Sequence, residues 1–222
     1  MKLKSLSKSM IGLIANLIIF IYFAFNFNGQ YIQKLDASVI SFLRAIPNSL
    51  LVGIFSVFTN FASFYGIVII FTVTLLLYRR KDYAVYNVLI AVLAFYLSHN
   101  LNEHFIRVRP DLMQLAPEVG YSFPSTHVLV ATAFYGLIML YVHYHSKGII
   151  KKLFVYLICI TIIIGVAISR IYLRVHFCSD VIAGLALGAA LVSFFAIIRN
   201  LAFGINIRSR FSAEINDMFD SH

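Results

Sequence analysis

Six long apolar runs divide the sequence, and they limit the possible folds more than any other feature. Each run is about long enough, at roughly 1.5 Å per residue, to cross a hydrocarbon layer of about 30 Å as a helix. Only helices or closed barrels satisfy the backbone in lipid, and continuous rather than alternating apolar residues favour helices. We therefore predict an all-α polytopic membrane protein with six transmembrane helices. The runs comprise residues 10–27, 56–78, 83–101, 128–144, 149–168 and 181–198.

Composition excludes other classes of protein. Of the 222 residues, 61% are hydrophobic and 12% are charged, whereas a soluble domain carries about 25% charged residues. Disorder is excluded because it requires low hydrophobicity. No internal repeat or linker interrupts the pattern, so we expect a single membrane-embedded domain over residues 1–222.

Residues 30–54 differ from the other segments because charges lie among the apolar residues. Lys34, Asp36 and Arg44 are set between apolar residues that recur at helical spacing. This pattern predicts a short amphipathic helix lying along the membrane surface. Pro47 marks a helix end or start within this segment.

The distribution of basic residues predicts the orientation. The chain begins with a basic stretch and an apolar run, as a signal peptide does, but no cleavage site follows, so we interpret this run as the uncleaved first span. With the N-terminus inside, 12 of the 18 Lys and Arg residues fall on the inner side, as the positive-inside rule requires. Both termini are then cytoplasmic, including a polar tail at residues 207–222. These twelve are Lys2, Lys4, Lys8, Arg79, Arg80, Lys81, Lys147, Lys151, Lys152, Arg199, Arg208 and Arg210.

The net charge of +9 does not indicate nucleic-acid binding. Lys and Arg of a membrane protein collect in its cytoplasmic loops, and no basic stretch here alternates with exposed aromatic residues in a polar domain. We expect no nucleic-acid partner and no required protein partner.

Three polar segments break the apolar pattern and carry the candidate chemistry. They comprise residues 102–110, 123–127 and 169–180. In the six-span arrangement all three lie in connections on the outer side of the membrane. Segments far apart in sequence are therefore predicted to meet at one end of the helix bundle, on the extracytoplasmic side.

The residue types in these segments suit a phosphate group. Arg109 and Arg170 supply permanent cations whose planar donor forks match phosphate oxygens. Ser125 lies where the fourth span begins, and free amides at a helix N-terminus bind anions. We predict that these three residues hold phosphoryl oxygens.

Two histidines and a carboxylate complete a set for covalent phosphoryl transfer. We expect His176 to attack phosphorus and form a phosphohistidine, and His127 to protonate the leaving oxygen. Asp180 follows His176 by four residues, so on a helix the two share a face, and Asp180 is expected to accept the proton of one imidazole nitrogen. Because the arginines neutralise the phosphate, we predict no metal and no cofactor.

The pattern resembles the type-2 phosphatidic acid phosphatase (PAP2) superfamily, whose motifs are Lys-x6-Arg-Pro, Pro-Ser-Gly-His and Ser-Arg-x5-His-x3-Asp. This chain has Arg109-Pro110, then residues 124–127 as Pro-Ser-Thr-His, then Ser169-Arg170 followed by His176 and Asp180. The resemblance implies a small bacterial membrane lipid phosphatase, with the third-motif histidine as nucleophile and the second-motif histidine as acid.

Two positions depart from the family pattern. Asn102 stands where the family has Lys, and Thr126 where it has Gly. We predict that both lie at the phosphate site and contribute hydrogen bonds to it. Both changes weaken the phosphate cradle, and Arg107 is the first nearby group that can compensate for the missing cation, with His99 and His104 as alternatives. Arg107 and Arg174 are otherwise expected to contact headgroups or the surface, and Glu118 to be solvated.

The predicted function is that of a lipid phosphate or diphosphate phosphatase. The substrate lies in the membrane, with undecaprenyl diphosphate and phosphatidylglycerophosphate favoured by the resemblance to small bacterial enzymes, and the membrane is predicted to be the bacterial cytoplasmic membrane. Two alternatives remain open at this point. One is a lipid phosphotransferase with the same residues, and the other is a binding or transport protein with weakened catalysis.

Overall fold

The computed structural model describes residues 2–44, 46, 48–77, 81–110 and 114–220. Within these ranges the chain forms eight α-helices and no strand, which confirms the predicted all-α class. The helices are α1 (Lys2–Asn26), α2 (Gln30–Arg44), α3 (Ser49–Asn60), α4 (Phe64–Leu77), α5 (Lys81–Phe105), α6 (Thr126–His145), α7 (Ile149–Tyr172) and α8 (Cys178–Asp220).

Five helices are long and apolar enough to cross a membrane, namely α1, α5, α6, α7 and α8. Together α3 and α4 are also long and apolar enough, but they are bent by 60° at the break between them, so they make a sixth span only if the pair is counted as one. The predicted number of spans therefore holds when this bent pair counts as one. Lipid-facing surfaces are apolar, as on α1, where most of the exposed side chains are isoleucine, phenylalanine or tyrosine.

The prediction for the second span was wrong in detail. The apolar run at residues 56–78 is not one straight helix, and α3 begins earlier, at Ser49, inside the segment predicted to lie on the membrane surface. Asn48 starts α3 because its side chain accepts a hydrogen bond from the Leu50 amide at 2.8 Å. At the break, the Phe61 carbonyl accepts a hydrogen bond from the Tyr135 hydroxyl at 2.9 Å, so a backbone group freed by the bend is satisfied. Pro47 and residue 78 lie outside the described residues.

Helix α6 forms the centre of the bundle. Twelve of its residues are buried, and it packs against α5, α7 and α8. Helix α1 packs along α8, and α3 packs against α7. Gly184 of α8 permits a close approach to the start of α6, because a Cβ at this position would lie 2.9 Å from the Ser125 carbonyl oxygen.

Helix α2 has the predicted amphipathic pattern, and it packs against α8 and α7 at one end of the bundle. The polar tail does not form a separate unit, because α8 continues through residues 207–220 as one helix; residues 221–222 lie outside the described residues. At the end where α2 packs, α5 and α7 end while α6 and α8 begin. All three polar segments therefore meet there, as predicted.

Candidate active site

Two unusual backbone turns bring the polar segments into the site. Ile106 has φ 50° and Arg174 has φ 62°, and they are the non-glycine residues with positive φ within the described part of the chain. Left-handed backbone is costly for a residue with a side chain, most of all for a β-branched one. The first turn precedes Arg107 and Arg109, and the second precedes His176.

His176 is buried, with 2% of its surface exposed. Its Nε2 atom lies 3.1 Å from Nη1 of Arg109, and its Nδ1 atom lies 2.8 Å from the Ser122 carbonyl oxygen. An arginine only donates, so Nε2 accepts and Nδ1 carries the proton that is donated to Ser122. The imidazole is therefore neutral, with the Nε2 lone pair directed toward the guanidinium of Arg109.

The environment also favours the neutral form of this histidine. Burial, followed by the positive charges of Arg170 and Arg109, holds the pKa of the His176 imidazole well below its ordinary value. A neutral imidazole with a free lone pair is the form that attacks an electrophile.

Asp180 is placed differently from the prediction. His176 precedes α8 rather than lying on it, so the two residues do not share a helix face as expected. The Asp180 Oδ2 atom lies 3.6 Å from Nδ1 of His176, too far for a hydrogen bond, and accepts instead from the Phe177 amide at 2.8 Å. The hydrogen bond from Nδ1 of His176 is accepted instead by the Ser122 carbonyl, which does not belong to any of the three motifs.

Two guanidinium groups and one carboxylate form the centre of the pocket. Arg109 is fixed by hydrogen bonds from Nη1 to the Val175 carbonyl at 2.9 Å and from Nε to the Gly120 carbonyl at 3.1 Å. Arg170 is buried, and its Nη1 donates to the Thr59 hydroxyl at 2.5 Å. Both cations face Glu118, which forms a direct ion pair with Arg170 and lies 3.5 Å from Arg109.

The expectation that Glu118 is solvated was wrong. Only 20% of its side chain is exposed, and one carboxylate oxygen lies 3.8 Å from Nδ1 of His127. Burial alone raises the pKa of the Glu118 carboxyl, but the opposing charges, first that of Arg170, outweigh burial and hold this pKa below its usual range. The carboxylate therefore lies as an anion between the predicted phosphate-binding arginines and the predicted acid, His127.

Ser125 and Arg170 each keep a polar atom without a hydrogen-bond partner. The Ser125 hydroxyl and the Arg170 Nε atom are buried and unpaired among the described residues. Ser125 is the N-cap residue of α6, yet its side chain makes no capping bond. Buried polar groups without partners are uncommon and costly. The hydrogen-bonding capacity of these two atoms is therefore not used by the described residues.

Asn102 and Thr126 lie beside the pocket but bond to each other and to the loop. The Asn102 amide donates to the Pro124 carbonyl at 3.1 Å, and the Thr126 hydroxyl donates to Oδ1 of Asn102 at 3.4 Å. The Thr126 hydroxyl also lies 2.8 Å from the Ser98 hydroxyl. The two departures from the family motifs therefore contact one another, and their side chains hold the turn before α6.

Arg107 is not at the surface as predicted. It is buried and forms ion pairs with Asp180 at 2.5 Å and with Asp36 of α2 at 2.8 Å. Asp36 was missed as a site residue because its isolated charge on an amphipathic segment is typical of a solvated face. The single signal in the sequence was that Arg107 and Asp36, a basic and an acidic residue without an assigned role, were predicted to lie at the same end of the bundle.

These features define an integral membrane protein whose helices and connections bring His127, His176, Arg109, Arg170 and Glu118 together at one end of the bundle. The model of the PAP2 superfamily matches residues 83–203, which is more than half of the chain and includes all three polar segments. The chain belongs to the PAP2 superfamily.

Individual relatives agree with this assignment. Phosphatidylglycerophosphatase B of Bacillus subtilis (strain 168) is 41% identical over 102 residues, which are 46% of this chain and 49% of the relative, so the match spans about half the length of that protein. The crystal structure of a transmembrane PAP2-type phosphatidylglycerolphosphate phosphatase from Bacillus subtilis superimposes with a TM-score of 0.74 at 28% identity, covering 88% of this chain and 96% of that one. The Aquifex aeolicus LpxE structure shares the fold, with a TM-score of 0.56 at 22% identity, over 75% of this chain and 94% of that one.

Proposed function

We propose that this protein is a membrane lipid phosphatase that works through a phosphohistidine formed on His176. The observation that carries the proposal is the pair of contacts made by the His176 ring, whose Nδ1 donates to the Ser122 carbonyl while Nε2 accepts from Arg109. This arrangement supports attack by Nε2 on a phosphorus atom held by the same arginine. A purely structural histidine does not need an unprotonated nitrogen facing a cation.

In the proposed reaction the substrate phosphate displaces the Glu118 carboxylate from Arg109 and Arg170. Its oxygens then bind the two guanidinium groups and the Ser125 hydroxyl, whose unpaired atoms support this role. The Nε2–P bond forms as the P–O bond to the lipid breaks, and His127 gives its proton to the leaving oxygen. Water, deprotonated by His127, then attacks phosphorus, and the P–N bond breaks to release inorganic phosphate.

The assignment of a lipid substrate rests on where the pocket lies. The pocket is at the end of the apolar bundle, where a phosphate headgroup meets the protein while its tail remains in lipid. The relatives named for phosphatidylglycerophosphate support that lipid as the first candidate, with undecaprenyl diphosphate as the second.

The excess of basic residues at the opposite end supports a cytoplasmic position for both termini and an extracytoplasmic site.

The direct test is phosphate release by the purified protein in detergent. We expect release from phosphatidylglycerophosphate, greater than from undecaprenyl diphosphate or phosphatidate, and undiminished by EDTA. When the phosphate group of the substrate is labelled with ³²P, the label should appear on the protein as an acid-labile, alkali-stable adduct. This adduct should be absent in His176→Ala. Equal phosphate release by the wild type and His176→Ala would refute the nucleophile, and loss of activity with EDTA would refute the metal-free route.

A further inference from the structure

A buried cation, Arg107, lies next to the histidine site through its ion pair with Asp180. Nη1 of Arg107 donates to Oδ1 of Asp180 at 2.5 Å and to the Ser179 hydroxyl at 2.7 Å. Nη2 donates to Oδ2 of Asp36 at 2.8 Å. One arginine therefore joins the outer connection after α5, the amphipathic helix α2 and the first turn of α8.

Two aromatic rings complete the surroundings of this arginine. The guanidinium carbon lies 5.0 Å from the ring centroid of Phe27 and 4.3 Å from that of Phe177. Cation–π contacts of this kind are favourable. Phe177 directly follows His176, so the arginine is in contact with the segment that carries the predicted nucleophile.

Asp36 binds the beginning of α8 from a different helix. Its Oδ1 atom accepts a hydrogen bond from the Ser179 amide at 2.9 Å, and its Oδ2 atom accepts from the Ser179 hydroxyl at 2.6 Å. The first amides of a helix have no partners within the helix, and a carboxylate is favourable there. Asp36 thus satisfies the start of α8 and attaches α2 to it.

The chain adopts a costly conformation to place Arg107. Ile106, which is β-branched, has φ 50° immediately before it. Such a conformation persists only when the surrounding contacts fix it, and it is frequent at functional sites. Here the turn directs Arg107 into the cluster of Asp36 and Asp180 instead of toward the headgroup region.

The charges explain why Asp180 depends on this arginine. Both Asp180 and Asp36 are buried, and Arg107 is the cation that contacts the two of them. A buried carboxylate without a cation neutralises itself by taking up a proton. Its negative charge would then no longer be present 3.6 Å from Nδ1 of His176, where positive charge develops as the phosphohistidine forms.

We propose that Arg107 and Asp36 are positioning residues for the reaction at His176. Arg107 holds the Asp180 carboxylate ionised and fixed behind the imidazole, and Asp36 holds Arg107 while tying α2 to the first turn of α8. The proposal rests on the proposed phosphatase function, since turnover is its readout.

The experiment compares Arg107→Met, Arg107→Lys and a matched control, Lys34→Met, in the full-length protein in detergent. Lys34 is an exposed cation on α2, the helix that carries Asp36. With phosphatidylglycerophosphate as substrate, Arg107→Met should lower kcat on the order of 100-fold and change KM by less than about threefold, because the arginine acts on charge development and not on phosphate binding. Arg107→Lys, which restores a cation, should recover about tenfold of that loss, whereas Lys34→Met should match the wild type.

Asp36→Asn provides a second variant in case Arg107→Met does not fold. Asparagine keeps an oxygen for the Ser179 amide but removes the charge that faces Arg107. We expect kcat to fall about tenfold with KM unchanged, as for loss of a supporting charge. A monodisperse peak in size-exclusion chromatography selects the variants that enter the comparison.

Three results would overturn the proposal. They are wild-type kcat in folded Arg107→Met or Asp36→Asn, a raised KM with unchanged kcat, and equal losses in Arg107→Met and Arg107→Lys. Failure of the phosphatase function itself is distinguishable, because the wild type and His176→Ala would then release phosphate equally.

Discussion

Nε2 of His176 accepts a hydrogen bond from Nη1 of Arg109 at 3.1 Å, and this contact fixes which imidazole nitrogen carries no proton. Arginine has no acceptor atom, so the proton of the neutral ring must be on Nδ1. This N–H group donates a hydrogen bond to the Ser122 carbonyl. The same arginine is one of the two cations that we propose to hold the substrate phosphate. In the proposed reaction, one side chain therefore orients both the nucleophile and its electrophile.

The first prediction concerns the protonation of His176. Because its pKa is held well below the ordinary value, the folded protein keeps this ring neutral as the pH falls through about 6.5, where an unperturbed histidine becomes charged. In ¹⁵N-histidine NMR spectra of the detergent-solubilised protein, the Nδ1-protonated pattern of His176 should be the same at pH 8 and pH 6. The signal is assigned by its loss in His176→Gln. A ring that titrates with a midpoint near 6.5 would contradict the prediction.

The lowered pKa of His176 also affects the stability of the fold. A histidine whose pKa is lower in the folded state binds fewer protons there than in the unfolded state when the pH falls below about 6.5. Its contribution therefore favours folding above that pH and is lost below it. Thermal midpoints of the wild type should fall between pH 7 and pH 5.5 by more than those of His176→Gln, which lacks this group. Parallel midpoint curves would exclude the effect.

The second prediction concerns Glu118. Its carboxylate forms ion pairs with both pocket arginines, so an incoming phosphate must displace it. Glu118→Gln removes the competing charge, and the inhibition constant of inorganic phosphate should fall about fivefold, the equivalent of roughly 1 kcal/mol. Glu103→Gln, an exposed position on α5, is the matched control and should not change. Weaker phosphate binding in Glu118→Gln would mean that the carboxylate orders the arginines for the ligand.

The third prediction concerns the buried amide of Asn102. Asn102→Leu keeps the approximate size of the side chain but removes the donor to the Pro124 carbonyl. Leaving that buried carbonyl unpaired should lower the free energy of unfolding by about 1–3 kcal/mol. Asn100→Leu is the control, because Asn100 is exposed on the same helix and bonds only locally to the Tyr96 carbonyl. Equal stability of Asn102→Leu and the wild type in denaturant titrations would show that the bond contributes nothing.

Much of this arrangement could be predicted from the sequence. Length and apolarity determine the number of spans, because lipid excludes any other backbone structure. Motif order predicts that Arg109, Arg170, His127 and His176 share one end of the bundle, since successive spans alternate in direction. These inferences need only periodicity and charge.

Other features depend on three-dimensional contacts that no local pattern encodes. Glu118 and Asp36 are charged residues in polar or amphipathic segments, where solvation is the usual outcome, and only the packing of loops and α2 brings them against arginines. The break between α3 and α4 could not be predicted, because it lies within an apolar run. The hydroxyl that donates to the freed Phe61 carbonyl belongs to Tyr135, on a helix distant in sequence. Asp180 likewise accepts a hydrogen bond from Arg107 and not, as the sequence had suggested, from His176. Arg107 is buried there after the turn at Ile106.

The bent second span leads to a fourth prediction. Thr59, near the end of α3, accepts a hydrogen bond from Arg170 at 2.5 Å and so fixes one side of the guanidinium that we propose to bind phosphate. Thr59→Val has nearly the same shape but no acceptor, and a hydrogen bond to a charged group contributes about 1.5–3 kcal/mol. Phosphate affinity and kcat/KM should therefore fall at least about tenfold, measured by inhibition with inorganic phosphate and by turnover of phosphatidylglycerophosphate. Thr72→Val on α4, where the hydroxyl is exposed and bonds to the Val68 carbonyl of its own helix, should leave both values unchanged. If Thr59→Val behaved like Thr72→Val, the orientation of Arg170 would have to depend on Glu118 and the walls of the pocket rather than on α3.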